Sequence, residues 1–173
     1  MESSTYKIRK SFLLPMGLVV LFSAILLIST LYLGLPTAKV IILVVFLLPV
    51  CLLFAESSRR KAIISNEAIE VHKLLRSKRI NYAELTDVDT IQMRKRVFVS
   101  LSSENDFLIL SNSYDRFGDM LREIISRVPD SIVSDKAKQL ADVPPKKCSD
   151  IFSAWLAVAV LVLIICVQIR EIL

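Results

Sequence analysis

Three short basic clusters, Arg59-Arg60-Lys61, Arg76-Ser77-Lys78-Arg79 and Arg94-Lys95-Arg96, are the residues of this chain with the clearest chemistry. Guanidinium and ammonium groups gathered in this way bind phosphate and other oxyanions through charge-assisted hydrogen bonds. Acid–base and metal chemistry has little to work with. His72 is the one histidine, its neighbours are Val71 and Lys73, and no acid or nucleophile is tied to it by spacing. Asp87 and Asp89 alternate as they would on a strand, but two carboxylates without a histidine, a glycine loop or further acids do not make a catalytic centre. The glycine-rich phosphate loops, the helical H-E-x-x-H motif and C-x-x-C pairs are all missing. The chain therefore reads as non-enzymatic, with no cofactor and no metal.

Long apolar runs decide where those clusters sit. Residues 12–33, 40–55 and 151–169 contain no Asp, Glu, Lys, Arg or His. The outer two have about the 20 residues that a helix needs to cross a bilayer core, and the middle one falls slightly short. A hydrophobic content of 54%, only 3 Gly in 173 residues and a positive mean hydropathy fit a membrane protein better than a soluble globule. Without internal charges the runs lack the usual signature of an ion or proton path.

Cations near span ends are retained on the cytoplasmic side. Lys7, Arg9 and Lys10 precede the first run, Arg59, Arg60 and Lys61 follow the second, and Lys146 and Lys147 precede the third; only Lys39 and Arg170 fall on the other side. The expected topology is a multi-pass inner or plasma membrane protein with its amino terminus inside and a short outer turn through Gly34, Leu35, Pro36 and Thr37. The polar block then lies inside and the carboxyl terminus outside. A cleaved signal peptide ending near Pro36-Thr37-Ala38 is disfavoured, because the first run exceeds the usual apolar region of such peptides. Cys51 and Cys166 fall roughly 20 Å apart in depth, at about 1.5 Å per helical residue, so they do not bridge. Cys148 borders the third span and is expected to be a plain reduced thiol, with acylation as the alternative where such enzymes exist.

The block at 56–129 reads as one domain of hairpins and a helix. Strands are expected at 62–65, 68–75, 79–82, 88–93, 97–101 and 107–110, with Asn66-Glu67 as a tight turn. The period then changes: Phe117, Met120, Leu121, Ile124, Ile125 and Val128 form one apolar stripe, predicting a helix over 115–128, capped by Ser113 or Asp115 and stopped by Pro129. Residues 130–149 read as a polar linker with a short helix near 134–141, and 150–173 as the third membrane helix.

Two stretches of the block carry a family likeness. Ile63-Ile64-Ser65-Asn66-Glu67-Ala68-Ile69 resembles the opening strand, polar turn and second strand of bacterial pleckstrin-homology-like (PH-like) domains carried on membrane anchors. Ile80-Asn81-Tyr82-Ala83-Glu84-Leu85-Thr86-Asp87-Val88 is similar to the spacing before their fourth strand. The resemblance covers about 59–128 and implies an antiparallel β-barrel capped by its C-terminal helix. Two positions depart from it: the Ser65-Asn66-Glu67 hairpin is not basic, and the helix has no Trp, so the inositol-phosphate site is not carried over.

An up-and-down barrel would gather Arg59, Arg60, Lys61, Arg76, Lys78, Arg79, Arg94, Lys95 and Arg96 at one end, with Glu67, Glu84, Asp87, Glu104 and Asp106 at the other. The second span delivers the chain to the basic end, so that end is expected to face anionic membrane lipids. Half of these cations engaging a leaflet would contribute roughly 4 kcal/mol, at about 1 kcal/mol each. The expected function is an interaction module for lipid headgroups or a neighbouring membrane protein. The alternative is an accessory subunit of a transporter or secretion complex, with contacts made by its helices. No nucleic-acid partner is expected, because lipid would occlude the basic end, and a homo-oligomer is left open.

Overall fold

A computed structural model describes residues 3–93, 96–143 and 149–170. In chain order the elements are β1 (Ser4–Lys7), α1 (Lys10–Tyr32), α2 (Thr37–Arg59), β2 (Lys61–Ile64), β3 (Ala68–His72) and β4 (Ser77–Asn81). Then follow β5 (Leu85–Met93), β6 (Arg96–Ser103), β7 (Phe107–Ser111), α3 (Phe117–Ile125), α4 (Asp135–Asp142) and α5 (Ser149–Arg170). The chain divides into two compact units, Met1–Arg9 with Arg59–Lys147, and Lys10–Ser58 with Cys148–Leu173.

The helical unit holds three helices long and apolar enough to cross a membrane, Lys10–Tyr32, Thr37–Arg59 and Asp150–Arg170. α1 packs on α5, burying Leu26, Thr30 and Val158. α2 has no buried residue. The turn between α1 and α2 uses Gly34 at φ 62°, a left-handed conformation open to glycine at no steric cost, and Leu35 N–H closes it on the Thr30 carbonyl at 3.2 Å. Cys51 and Cys166 are free thiols, while Cys148 lies outside the described residues.

The other unit contains two antiparallel sheets, ordered β1-β2-β3-β4 and β5-β6-β7. This differs from the expected single barrel: among the described residues no hydrogen-bonded ladder joins β4 to β7 or β1 to β5. The additional strand is β1, in the segment ahead of the first apolar run, where no strand was expected. Tyr6 and Ile8 are buried while Thr5 and Lys7 are exposed, the alternation of a half-buried strand. β1 pairs with β2 from Ser4↔Ile64 to Lys7↔Lys61, so the α1–α2 hairpin is an insertion between two neighbouring strands.

The core lies between these sheets and α3. Ala62, Ile64, Ile69, Val71 and Ile80 meet Val88, Val97, Val99, Leu101, Leu108 and Leu110, and α3 adds Phe117, Met120, Leu121 and Ile124 at helical spacing. Neither Ser113 nor Asp115 caps α3. Its N-cap is Arg116 in the left-handed region (φ 48°), with its guanidinium 5.6 Å from the centre of the Tyr6 ring. The 130–142 stretch is not the spacer expected. Val133 bridges Val88, Ser134 N–H bonds the Val88 carbonyl at 3.0 Å, and α4, capped by the Ser134 side chain, buries Ala137, Leu140 and Ala141.

Candidate functional site

Strand register brings the cations together. Lys7 lies opposite Lys61, Lys61 opposite His72, and His72 opposite Ser77, so these residues mark one end of the four-stranded sheet. Lys7 and Lys61 are like charges directly across a strand pair, an arrangement that costs stability unless an anion lies near. The other end carries the turn after Ile64, where the Ser65 hydroxyl bonds the Ala68 carbonyl at 2.8 Å.

Beside the basic end is a cleft of about 340 Å³. Arg60, Lys73, Arg76 and Lys78 line it with the hydroxyls of Ser77 and Ser111, over an apolar wall of Val71, Phe98, Phe107, Leu108 and Ile109. Such a surface can hold a phosphate oxygen against the cations and an apolar moiety against the rings. Its cations are held differently. Arg60 donates from Nε to the Tyr114 hydroxyl at 3.1 Å and stands 5.7 Å from that ring's centre. Tyr114 is fully buried; burial raises its phenol pKa, and the Arg60 charge opposes that rise. Lys78 Nζ pairs with Asp106 and lies 4.8 Å from the Phe107 ring centre. That contact keeps the Asp106 carboxyl below its ordinary value, the hydrogen bond from Lys78 being the main cause. Arg76 is exposed at the tip of the β3–β4 turn, which is closed by Lys73 N–H on the Arg76 carbonyl at 2.8 Å.

The remaining predicted cations are dispersed. Arg59 is the exposed last residue of α2, and Lys61 begins β2. Arg79 faces Glu70 across the β3–β4 pair at 3.4 Å, and Glu70 also holds His72 Nε2 at 3.3 Å. Arg96 begins β6 opposite Met93, while Arg94 and Lys95 lie outside the described residues. Asp106, expected at the far pole, instead neutralises part of the basic end. Two separate sheets let the β6–β7 turn come to the basic end of β4, which strict alternation around one barrel would forbid. Lys7 and Lys73 also belong to the cationic end but lie outside the three clusters: Lys7 counts in the sequence only as a cation ahead of the first span, and Lys73 stands within an expected strand.

A separate polar cluster joins β1 to α3. Tyr6 donates its hydroxyl to Glu123 at 2.6 Å, and Arg127 pairs with the same carboxylate at 2.9 Å. Burial pushes Glu123 up, but hydrogen bonds from Tyr6, Ser4 and Arg127 outweigh it and hold the carboxyl below its ordinary value. Tyr6 is raised to about 12, by burial first and by Glu123 second. These groups tie β1 to α3. Among the described residues, no group of three or more His, Cys, Asp or Glu is arranged to hold a metal ion. No protein-family model, curated protein or solved structure matches the chain.

Proposed function

We propose that this chain is a non-enzymatic membrane protein with three transmembrane helices, whose β-rich unit is a PH-like module that engages anionic lipid headgroups at the cytoplasmic face. The observation that carries this reading is the convergence of Arg60, Lys73, Arg76 and Lys78 on one cleft, at the sheet end where the chain passes into α1 and returns from α2. Antiparallel hairpins followed by an amphipathic helix, with α3 covering the apolar side of the strands, support the PH-like part. The cytoplasmic assignment rests on the distribution of Lys and Arg about the apolar helices. At about 1 kcal/mol per engaged cation, the four cations of this cleft contribute at most about 4 kcal/mol. That is enough to orient a unit already anchored by helices, and salt weakens it.

The test is backbone hydrogen exchange on the full chain in vesicles. Exchange across 71–79 slows when phosphatidylglycerol is added to phosphatidylcholine, and Arg76→Glu with Lys73→Glu removes the difference. Equal exchange in the two lipids would contradict the reading. A second reading, an accessory subunit contacting its partner through its helices, is supported by α2, which buries no residue. It predicts that a partner co-purifying from native membranes stays bound when the basic residues are reversed.

A further inference from the structure

Leu75 is 94% exposed at the tip of the β3–β4 turn, although its neighbours in sequence could have supplied a polar tip. The tip reads Lys73, Leu74, Leu75, Arg76, with Lys78 next on β4. A backbone hydrogen bond from Lys73 N–H to the Arg76 carbonyl closes the turn, so Leu75 is presented at the tip of a short hairpin. An apolar tip with cationic flanks suits the boundary between headgroups and acyl chains, where the apolar group enters and the cations stay with the phosphates.

The hairpin's place in the sheet selects the partner. Its base is the His72↔Ser77 pair, in line with Lys61 and Lys7. Lys7 and Lys61 lie three and two residues from Lys10, the start of α1, and Arg59, the end of α2. At about 4.8 Å per strand, the tip stands about 10–15 Å to the side of those junctions, pointing the same way along the strands. The chain leaves the sheet for α1 and returns from α2 at this same end of the strands, which makes a bilayer holding those helices the surface proposed for Leu75.

We infer that the β3–β4 hairpin is a membrane-inserting wedge, with Leu75 entering the headgroup–acyl boundary of the anionic leaflet and Arg76 held at its phosphates. This rests on the headgroup reading given above and adds a depth to it. The wedge explains an exposed leucine that the fold of the unit does not use, and it fixes which turn meets the lipid.

The test uses the full chain with Cys51, Cys148 and Cys166 replaced by Ala, reconstituted in vesicles. An environment-sensitive fluorophore is placed at Leu75→Cys or, on the opposite turn, at Asn66→Cys; both positions are exposed, so labelling leaves the core intact. The expected result is a several-fold rise in emission at position 75 on adding phosphatidylglycerol, quenched by lipids brominated on their acyl chains, with position 66 unchanged. A water-like signal at 75 while exchange across 71–79 still slows on anionic lipid would overturn the wedge and leave headgroup binding standing. Loss of both effects would overturn both. An apolar signal at 75 that brominated lipid does not quench would mean that protein covers the leucine, and would also overturn the wedge.

Discussion

At the residue scale, two buried tyrosines make opposite predictions. Tyr6 donates a hydrogen bond to the Glu123 carboxylate, whereas the Tyr82 hydroxyl is buried without a hydrogen-bond partner among the described residues, and burial pushes its pKa up to about 12. Tyr6→Phe removes a bond to a charged group and should destabilise the β-rich unit by about 1.5–3 kcal/mol. Tyr82→Phe removes an unsatisfied polar atom and should be neutral or stabilising by about 1 kcal/mol, both measured by urea unfolding. Glu123 sets the acid side. Its carboxyl is depressed in the folded state, so its contribution is present above the unfolded carboxylate's pKa and is lost as pH falls through the folded value. Unfolding followed against pH should show that loss, diminished in Tyr6→Phe, and an unchanged acid limb would contradict it. The basic clusters were legible because charge is a property of residue type. The Tyr6–Glu123 bond was not, because it joins residues 117 apart in sequence and no local pattern links them.

The elements repeat that division between local and distant information. The apolar helices and α3 were legible from length and from an i, i+3, i+4 stripe, both written within one segment. β1 was not, because a strand of 4 residues needs its partner to be recognised, and β2 lies beyond two long helices. α4 lies near the expected 134–141, but its polar composition hid Ala137, Leu140 and Ala141, three apolar residues on one face packed toward β5 and α3. A consequence follows for the unit's independence. Residues 60–143 alone would leave β2 an edge strand without β1 and lose the buried Tyr6 and Ile8, about 3–6 kcal/mol at about 1.5–3 kcal/mol per large apolar side chain. Joining Arg9 to Arg60 by a turn of a few residues should instead give a folded unit, because Lys7 already faces Lys61 as in a hairpin. Dispersed amide resonances from the joined form, and collapsed ones from 60–143, are the expected outcome. The reverse would mean that β1 is dispensable.

On the scale of the whole molecule, the chain passes between an apolar helical unit and a β-rich unit three times, and two of those crossings flank the adjacent strands β1 and β2. The chain leaves this unit from β1 and re-enters it at β2, both at the cationic end of the four-stranded sheet, and that connectivity, more than any single cation, is what makes lipid the proposed ligand. The expected separation of charge was legible only in part: Lys7, Lys61, Lys73 and Arg76 share one end, but Asp106 joins Lys78 there because the strands form two sheets instead of one closed meander. Photo-crosslinking of the full chain in membranes containing an anionic phospholipid with a headgroup-proximal photoreactive group tests the central claim most directly. Peptide mapping should place the adducts on 71–79 and around Arg60, and high salt should reduce them. Adducts concentrated instead on the Ser65-Asn66-Glu67 turn, or spread equally over both ends of the sheet, would contradict the account.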